Sequence, residues 1–344
     1  MNDLSAREQK IRSILNGLNE PEYRFDQIKH AIYREKVTDY SNISSIPLGL
    51  RNALKERLGE VLAIKPLQVL NSNQAQKVLF ETQDGAKFES VWMEHADEFH
   101  ESVCISSQSG CALGCKFCYT GTMGLKKNLT SDEITDQVLY FRNSRNFVGN
   151  VSFMGMGEPF ANSDEVFKAI SVLTDKKAFG LGQRKINVST VGIIPGIKRL
   201  TKEFPQVNLA FSLHTPFNDQ RLELMPVTKT YPIDEVMMAL DEHILKTKRK
   251  VFLAYILIKG INDSQKHANA LVELIKSRGL TSYLYHVNLI KFHGGESTIK
   301  FKTPGEKTIK DFIAILTSEG IPNTLRQSFG LDIHAACGQL CVKP

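Results

Sequence analysis

No stretch of this 344-residue chain approaches the ~18 uninterrupted apolar residues of a membrane span. The first ten residues, MNDLSAREQK, are charged from the start and lack the apolar core of a secretion signal. Membrane and exported classes are thereby set aside, and the chain is expected in the cytoplasm. Low-complexity tracts and Pro/Gly-rich linkers are missing too, which excludes fibrous and largely disordered classes. Charge of one sign is in short supply: 43 Lys and Arg against 37 Asp and Glu leave a formal +6. So mild an excess suits an anionic partner without requiring one. Cysteine is scarce as well, at six residues. Three of the six, Cys111, Cys115 and Cys118, sit in CALGCKFCYTG, with no fourth in that segment. In a reducing compartment such thiols point to metal ligation or catalysis ahead of disulfides. A structural zinc site takes four ligands and a disulfide an even number, so the segment satisfies neither alone.

What is present divides the chain in three. Residues 1–80 read as a small helical accessory domain, because REQKIRSIL, RFDQIKHAIYREK and LRNALKERLGEVL place apolar residues at helical spacing. Residues 81–100 read as a β-hairpin and linker: QKVLFETQDGAKFESVWM alternates on both sides of an Asp84-Gly85 turn. From 101 to 344 β-rich runs alternate with helical ones. The candidate strands are SVCISS, NVSFMGM, KINVST, VNLAFSLH, KVFLAYIL and LYHVNLI. Between the first two, TSDEITDQVLYFRNS reads as a helix with a Thr130/Glu133 capping box. Repeated βα units predict a parallel sheet, closed or partly closed into a barrel. Polar clusters stand at the carboxyl ends of its strands: Gly155 to Pro159, Ser189-Thr190, Ser212 to His214, and Asn288 with KFHGG just beyond. Those ends build the active site in βα barrels, and the cysteine segment follows the first of them.

The C-x3-C-x2-C spacing lets a loop fold soft thiolates around an inorganic cluster. Three ligands on a [4Fe–4S] cube leave one iron open, much as catalytic zinc keeps one position free. A zinc knuckle completed by a distant Cys or His fits the same spacing, as do unrelated buried thiols. On spacing alone the choice stays open. Cys104, on an apolar strand, reads by itself as an inert buried thiol, and Cys337 as incidental.

Context adds a resemblance. With Phe117 inside the last gap, the loop after the first strand resembles the C-x3-C-x-aromatic-C signature of radical S-adenosylmethionine (SAM) enzymes. MGMGEP (154–159), INVSTVGIIPGIKRL (186–200), SLHTPF (212–217), YPIDEV (231–236), YHVNLI (285–290) and DIHAACGQL (332–340) resemble the RlmN/Cfr family, which methylates an adenosine of 23S rRNA. TVGIIPGIKRLTKEFPQVNLAFSLH and the short N-terminal region are closer to its Cfr side. The resemblance implies a partial (β/α)6 TIM-type barrel with a small N-terminal accessory domain that meets RNA. It also implies one [4Fe–4S] cluster on Cys111, Cys115 and Cys118, and two SAM molecules consumed per turnover.

An adenine ring carbon flanked by nitrogens is not nucleophilic, so simple displacement on SAM has nothing to work with. The resemblance implies a radical route in which one SAM first methylates Cys337. A second SAM then yields the radical that takes hydrogen from that methyl group, and the carbon radical adds to the base. Cys104 next attacks the Cys337 sulfur, leaving a disulfide to be reduced, while Glu89 accepts a proton. Gly157 and Glu158 are expected at the SAM amino group, with Ser189, Ser212, Leu213 and His214 as further contacts and Phe117 beside the cofactor. His293 stands where the family has an Asn, so that contact is expected from an imidazole. Cys341 matches no family role.

The implied product carries a methyl at carbon 8 of a peptidyl-transferase-centre adenosine and confers resistance to antibiotics that bind there. The rival within the family methylates carbon 2, with tRNA as an additional substrate. The rival outside it is a zinc-stabilised RNA-binding module without catalysis. Expected partners are 23S rRNA before large-subunit assembly and a flavodoxin or ferredoxin as electron donor, with the chain a monomer. Basic runs at 124–128, 174–185 and 246–250 are candidate phosphate contacts without individual assignments.

Overall fold

The computed structural model describes residues 4–95, 101–144, 148–294 and 300–342. Three helices come first: α1 (Ala6–Gly17), α2 (Tyr23–Tyr33) and α3 (Leu48–Leu58). Antiparallel strands β1 (Ile64–Asn71), β2 (Ala75–Thr82) and β3 (Lys87–Glu94) follow. The βα series opens with β4 (Glu101–Cys104), β5 (Gln108–Cys111), α4 (Tyr119–Thr122), β6 (Gly124–Asn128) and α5 (Ser131–Ser144). It continues through β7 (Asn150–Phe153), α6 (Ser163–Thr174), β8 (Ile186–Thr190), α7 (Ile194–Glu203), β9 (Asn208–Ser212) and α8 (Asn218–Leu224). Last come α9 (Ile233–Thr247), β10 (Val251–Leu257), α10 (Gln265–Lys276), β11 (Tyr285–Lys291), α11 (Glu306–Ser318) and β12 (Asn323–Leu325). Among the described residues no helix is long and apolar enough to cross a membrane.

One ten-stranded sheet carries the architecture, in the order β1-β2-β3-β4-β7-β8-β9-β10-β11-β12. From β4 onward every neighbour is parallel. The six expected strands are all present, in chain order. β4 borders β3 on its other side and β12 is the far edge, so the barrel stays partial. The parallel strands read as apolar runs because helices cover one face and side chains fill the other; VFLAYIL of β10 is buried at six of its seven positions. The α5 capping box forms as expected: Glu133 N donates to Thr130 Oγ1 at 3.2 Å and Thr130 N to Glu133 Oε2 at 2.8 Å.

Three features depart from the sequence reading. Strand β1 precedes the hairpin and makes it a three-stranded unit; Pro66 and a bulge between Pro66 and Gln68 mark it as an edge strand, and its mostly exposed residues carry no alternation to read. The hairpin begins at Ala75, so a boundary between residues 80 and 81 falls inside β2. The boundary at residue 100 falls at 96–100, outside the described residues. Finally, β3 pairs antiparallel with β4, which joins the hairpin directly to the barrel sheet.

The N-terminal helices are tied to the barrel through buried charge. Arg7 donates to Asp136 of α5 at 2.5 Å, with both side chains almost wholly out of water, and the Arg7 amide donates to Asp132 at 2.7 Å. Burial pushes the Asp136 carboxyl up to about 6 even against this arginine, so the ion is held at a cost. Removing one partner leaves the other charge stranded. Arg7→Met is expected to lower unfolding stability by about 3–5 kcal/mol. Arg7→Met with Asp136→Leu should recover most of that loss, as read by denaturant melts of the two variants.

Candidate active site

The cysteine segment is shaped by a small second sheet. Gln108–Cys111 of β5 pairs antiparallel with Gly124–Asn128 of β6, so Cys111 ends a strand and only Cys115 and Cys118 lie on the loop proper. Cys118 is the residue before α4, and its amide donates to Cys115 O at 3.2 Å. Lys116 N donates to Leu224 O at 3.0 Å, docking the loop on the end of α8. Burial raises all three thiols, Cys111 to about 11, and the charges of Cys111 and Cys118 act on Cys115. Three soft donors on one short segment, with Cys115 and Cys118 in apolar surroundings, fit an iron–sulfur cluster.

Beside this loop a cavity of about 170 Å³ opens at the carboxyl ends of the parallel strands. Phe117, Cys118, Gly157, Glu158, Ser189, Ser212, His214 and Cys337 all line it, as does Asn288 of β11. Gly157 has φ +96°, and a Cβ there would lie 2.5 Å from Cβ of Gln108; only glycine fits. Glu158 is fully buried, and its two carboxylate oxygens accept from Phe160 N at 3.1 Å and Val191 N at 2.9 Å. Burial pushes its carboxyl up to about 7 despite those bonds. Ser189 and Ser212 place their hydroxyls 3.4 Å apart. His214 adopts φ +59°, a strained setting for a non-glycine residue. Its Nδ1 accepts from Ile256 N at 3.0 Å, which leaves the proton on Nε2, and burial lowers the imidazole to about 3. The ring therefore stays neutral, edge-on to Phe117 at 4.9 Å.

A smaller cavity, about 50 Å³, adjoins the first and is lined by Cys104, Cys337, His293, Met154 and Arg326. Met154, Ile290, Arg326, Cys337 and Gly338 line both. Cys337 is exposed and is carried by a segment latched to the cysteine loop: Tyr119 N donates to Gly338 O at 2.9 Å and Thr120 Oγ1 to Leu340 O at 2.7 Å. Cys104 is pushed up to about 12, by burial first and by Cys337 second, with Arg326 opposing.

Not every expected residue joins these two cavities. His293 faces the smaller one, where its Nε2 lies 2.7 Å from Ser328 Oγ, and does not line the larger. Leu213 turns its side chain into the core, and its carbonyl accepts from Arg221 Nε. Glu89 lines a separate cavity of about 400 Å³ behind the Cys337 segment. There it pairs with Lys77 at 3.0 Å and accepts from Cys341 N at 2.9 Å, while burial still raises its carboxyl. Of the basic runs, 174–185 and 246–250 lead into the amino ends of β8 and β10, opposite the mouth; only 124–128, which is β6, borders the cysteine loop. Arg326 and Met154 escaped the sequence reading. Arg326 follows a strand of three residues, too short to register, although Met154 opens the quoted MGMGEP.

Residues 105–272 match the radical SAM superfamily. The chain is 48% identical over 342 residues to the ribosomal RNA large subunit methyltransferase Cfr of Clostridium botulinum strain Hall, covering 99% of this chain and 98% of that one. With the protein of the same name from Staphylococcus warneri it shares 50% over 333 residues, 96% of this chain and 95% of the other. A radical SAM methyltransferase from Sphaerobacter thermophilus superposes with a TM-score of 0.90 at 38% identity, covering 98% of this chain and 99% of that structure.

Proposed function

This chain belongs to the radical SAM superfamily and, within it, to the Cfr family of large-subunit ribosomal RNA methyltransferases, and on that premise we propose that it methylates carbon 8 of an adenosine in the peptidyl-transferase centre of 23S rRNA, using Cys337 as methyl carrier, and so protects the ribosome from antibiotics bound there. One observation carries this reading: Cys104 and Cys337, distant in sequence, share a small cavity that adjoins the one built by the strand ends. A plain SAM-dependent displacement has no use for such a pair.

Cys111, Cys115 and Cys118 would hold a [4Fe–4S] cluster, which when bound with SAM supplies the one-electron chemistry that opens an unreactive carbon–hydrogen bond. The chain's own residues do the rest. Glu158 offers a carboxylate to an ammonium group, Ser189 and Ser212 offer hydroxyls, and neutral His214 with Phe117 forms an apolar wall. Cys337 bears the methyl between the two cavities, within reach of both cofactor and base. Cys104, as a thiolate, forms the S–S bond while the bond from the Cys337 sulfur to the base-bound carbon breaks; the electron pair of that bond stays with the carbon, which takes up a proton to become the methyl group. Glu89 lies behind the Cys337 segment, so proton acceptance by it requires that segment to move aside.

Anaerobically reconstituted protein, SAM, a low-potential reductant and a protein-free 23S rRNA fragment containing the peptidyl-transferase loop provide the test. Methylated adenosine is expected with the free fragment and not with intact large subunits, where the base is buried. A colourless zinc-containing protein that leaves the fragment unmodified would overturn the proposal.

A further inference from the structure

Arg221, on α8, heads the fully buried side chains by size, at 0% exposure. Its donors reach only neutral acceptors: Nε to Leu213 O at 3.1 Å, Nη2 to Val191 O at 2.8 Å and Ser212 O at 2.9 Å, and Nη1 to Thr228 Oγ1 at 2.8 Å. Its guanidinium also lies 5.0 Å from the Phe211 ring centre. Among the described residues it meets no carboxylate at ion-pair distance. A cation taken wholly out of water without a counter-charge is costly unless the working state supplies one. The same helix seats the cysteine loop: Lys116 N donates to Leu224 O at 3.0 Å, one turn beyond Arg221, and Cys115 packs in one apolar cluster with Leu224 and Val191. We propose that Arg221 is the built-in counter-cation of the cysteine loop, a positioning residue that both fixes the cofactor-facing strand ends and stabilises the added negative charge when a cluster on Cys111, Cys115 and Cys118 is reduced.

Both halves of that role rest on geometry. Val191 gives its carbonyl to Arg221 and its amide to Glu158, while Ser212 and Leu213, also held by Arg221, immediately precede His214. The same α8 receives the cysteine loop through the Lys116 amide. Three thiolates leave an oxidised cubane with a net negative charge, and reduction adds another. A fixed cation in a medium of low dielectric favours the more negative state. The inference depends on reading the three cysteines as cluster ligands.

The test is a redox titration of the reconstituted cluster followed by electron paramagnetic resonance, with no turnover involved. Arg221→Gln, which keeps donors but removes charge, is expected to lower the reduction equilibrium constant about tenfold, or 59 mV for one electron. Arg221→Lys, which keeps charge with fewer donors, should stay within about threefold of the parent. Thr228→Asp sets a carboxylate against Nη1, leaves Arg221 in place, and should fall as Arg221→Gln does; it decides the matter if Arg221→Gln does not fold. Parent-like potentials in Arg221→Gln and Thr228→Asp would overturn the proposal. So would Arg221→Lys falling as far as Arg221→Gln, the behaviour of a mere brace. A parent protein that yields no cluster signal at all would instead overturn the cluster reading beneath it.

Discussion

Replacing Cys337 by alanine is expected to reduce methyl transfer to 23S rRNA by at least about a thousandfold, the size of loss seen when a covalent carrier is removed. No neighbouring thiol is placed to substitute. Cys104 shares the smaller cavity but is itself the proposed resolving thiol, Cys118 belongs to the proposed cluster-binding set, and Cys341 faces the Glu89 cavity. Cys337 is exposed, whereas Cys341 is buried. The substitution removes one sulfur from a latched segment whose backbone bonds to Tyr119 and Thr120 do not involve that side chain. Cofactor binding should therefore persist. With labelled SAM, the parent should carry label on the peptide containing Cys337, and Cys337→Ala on none. Full activity in Cys337→Ala would exclude the carrier role.

Cys104→Ser should have an effect of similar size on product but a different signature. If Cys104 opens the carrier–base bond, its loss stalls the reaction after that bond forms. A covalent protein–RNA species should then accumulate that survives denaturing electrophoresis and disappears in the Cys104→Ser, Cys337→Ala double variant. The pH dependence follows from the environment of Cys104. Burial raises its thiol to about 12, so at neutral pH the reactive thiolate is a small minority. Resolution in the parent should speed up about tenfold per pH unit from pH 7 to pH 9, because each unit raises the thiolate fraction tenfold while pH stays below that value. Rapid-quench measurement of adduct decay reads this directly. A flat profile would mean that Cys104 does not act as a thiolate.

Much of this site was legible because its parts lie at strand ends. Six apolar runs with polar residues at their ends suffice to place Gly157, Glu158, Ser189, Ser212 and His214 on one mouth. The pairing of Cys104 with Cys337 was legible only through family resemblance, since no periodicity links β4 to a C-terminal segment without regular strand or helix. Other parts left no pattern. Strand β1 is an exposed edge broken at Pro66, and β12 has three residues, so neither shows an alternation long enough to register. Arg221 belongs to no motif that marks it in sequence; nothing local announces that the tertiary fold buries it completely. His293 and Glu89 illustrate a further limit. Motif position brought both near the centre, but which cavity each faces depends on how the C-terminal segment lies between them.

Carbon 8 and carbon 2 lie on different rings of the same purine, and in the proposed reaction the choice rests on which of them the base presents to Cys337. Nucleoside mass spectrometry of 23S rRNA from cells expressing the chain, against cells expressing Cys337→Ala, tests the proposed reaction most directly. An 8-methyladenosine in the peptidyl-transferase centre, present with the parent and absent with Cys337→Ala, is the expected result. Methylation at carbon 2 alone, or an unmodified adenosine in both, would contradict it.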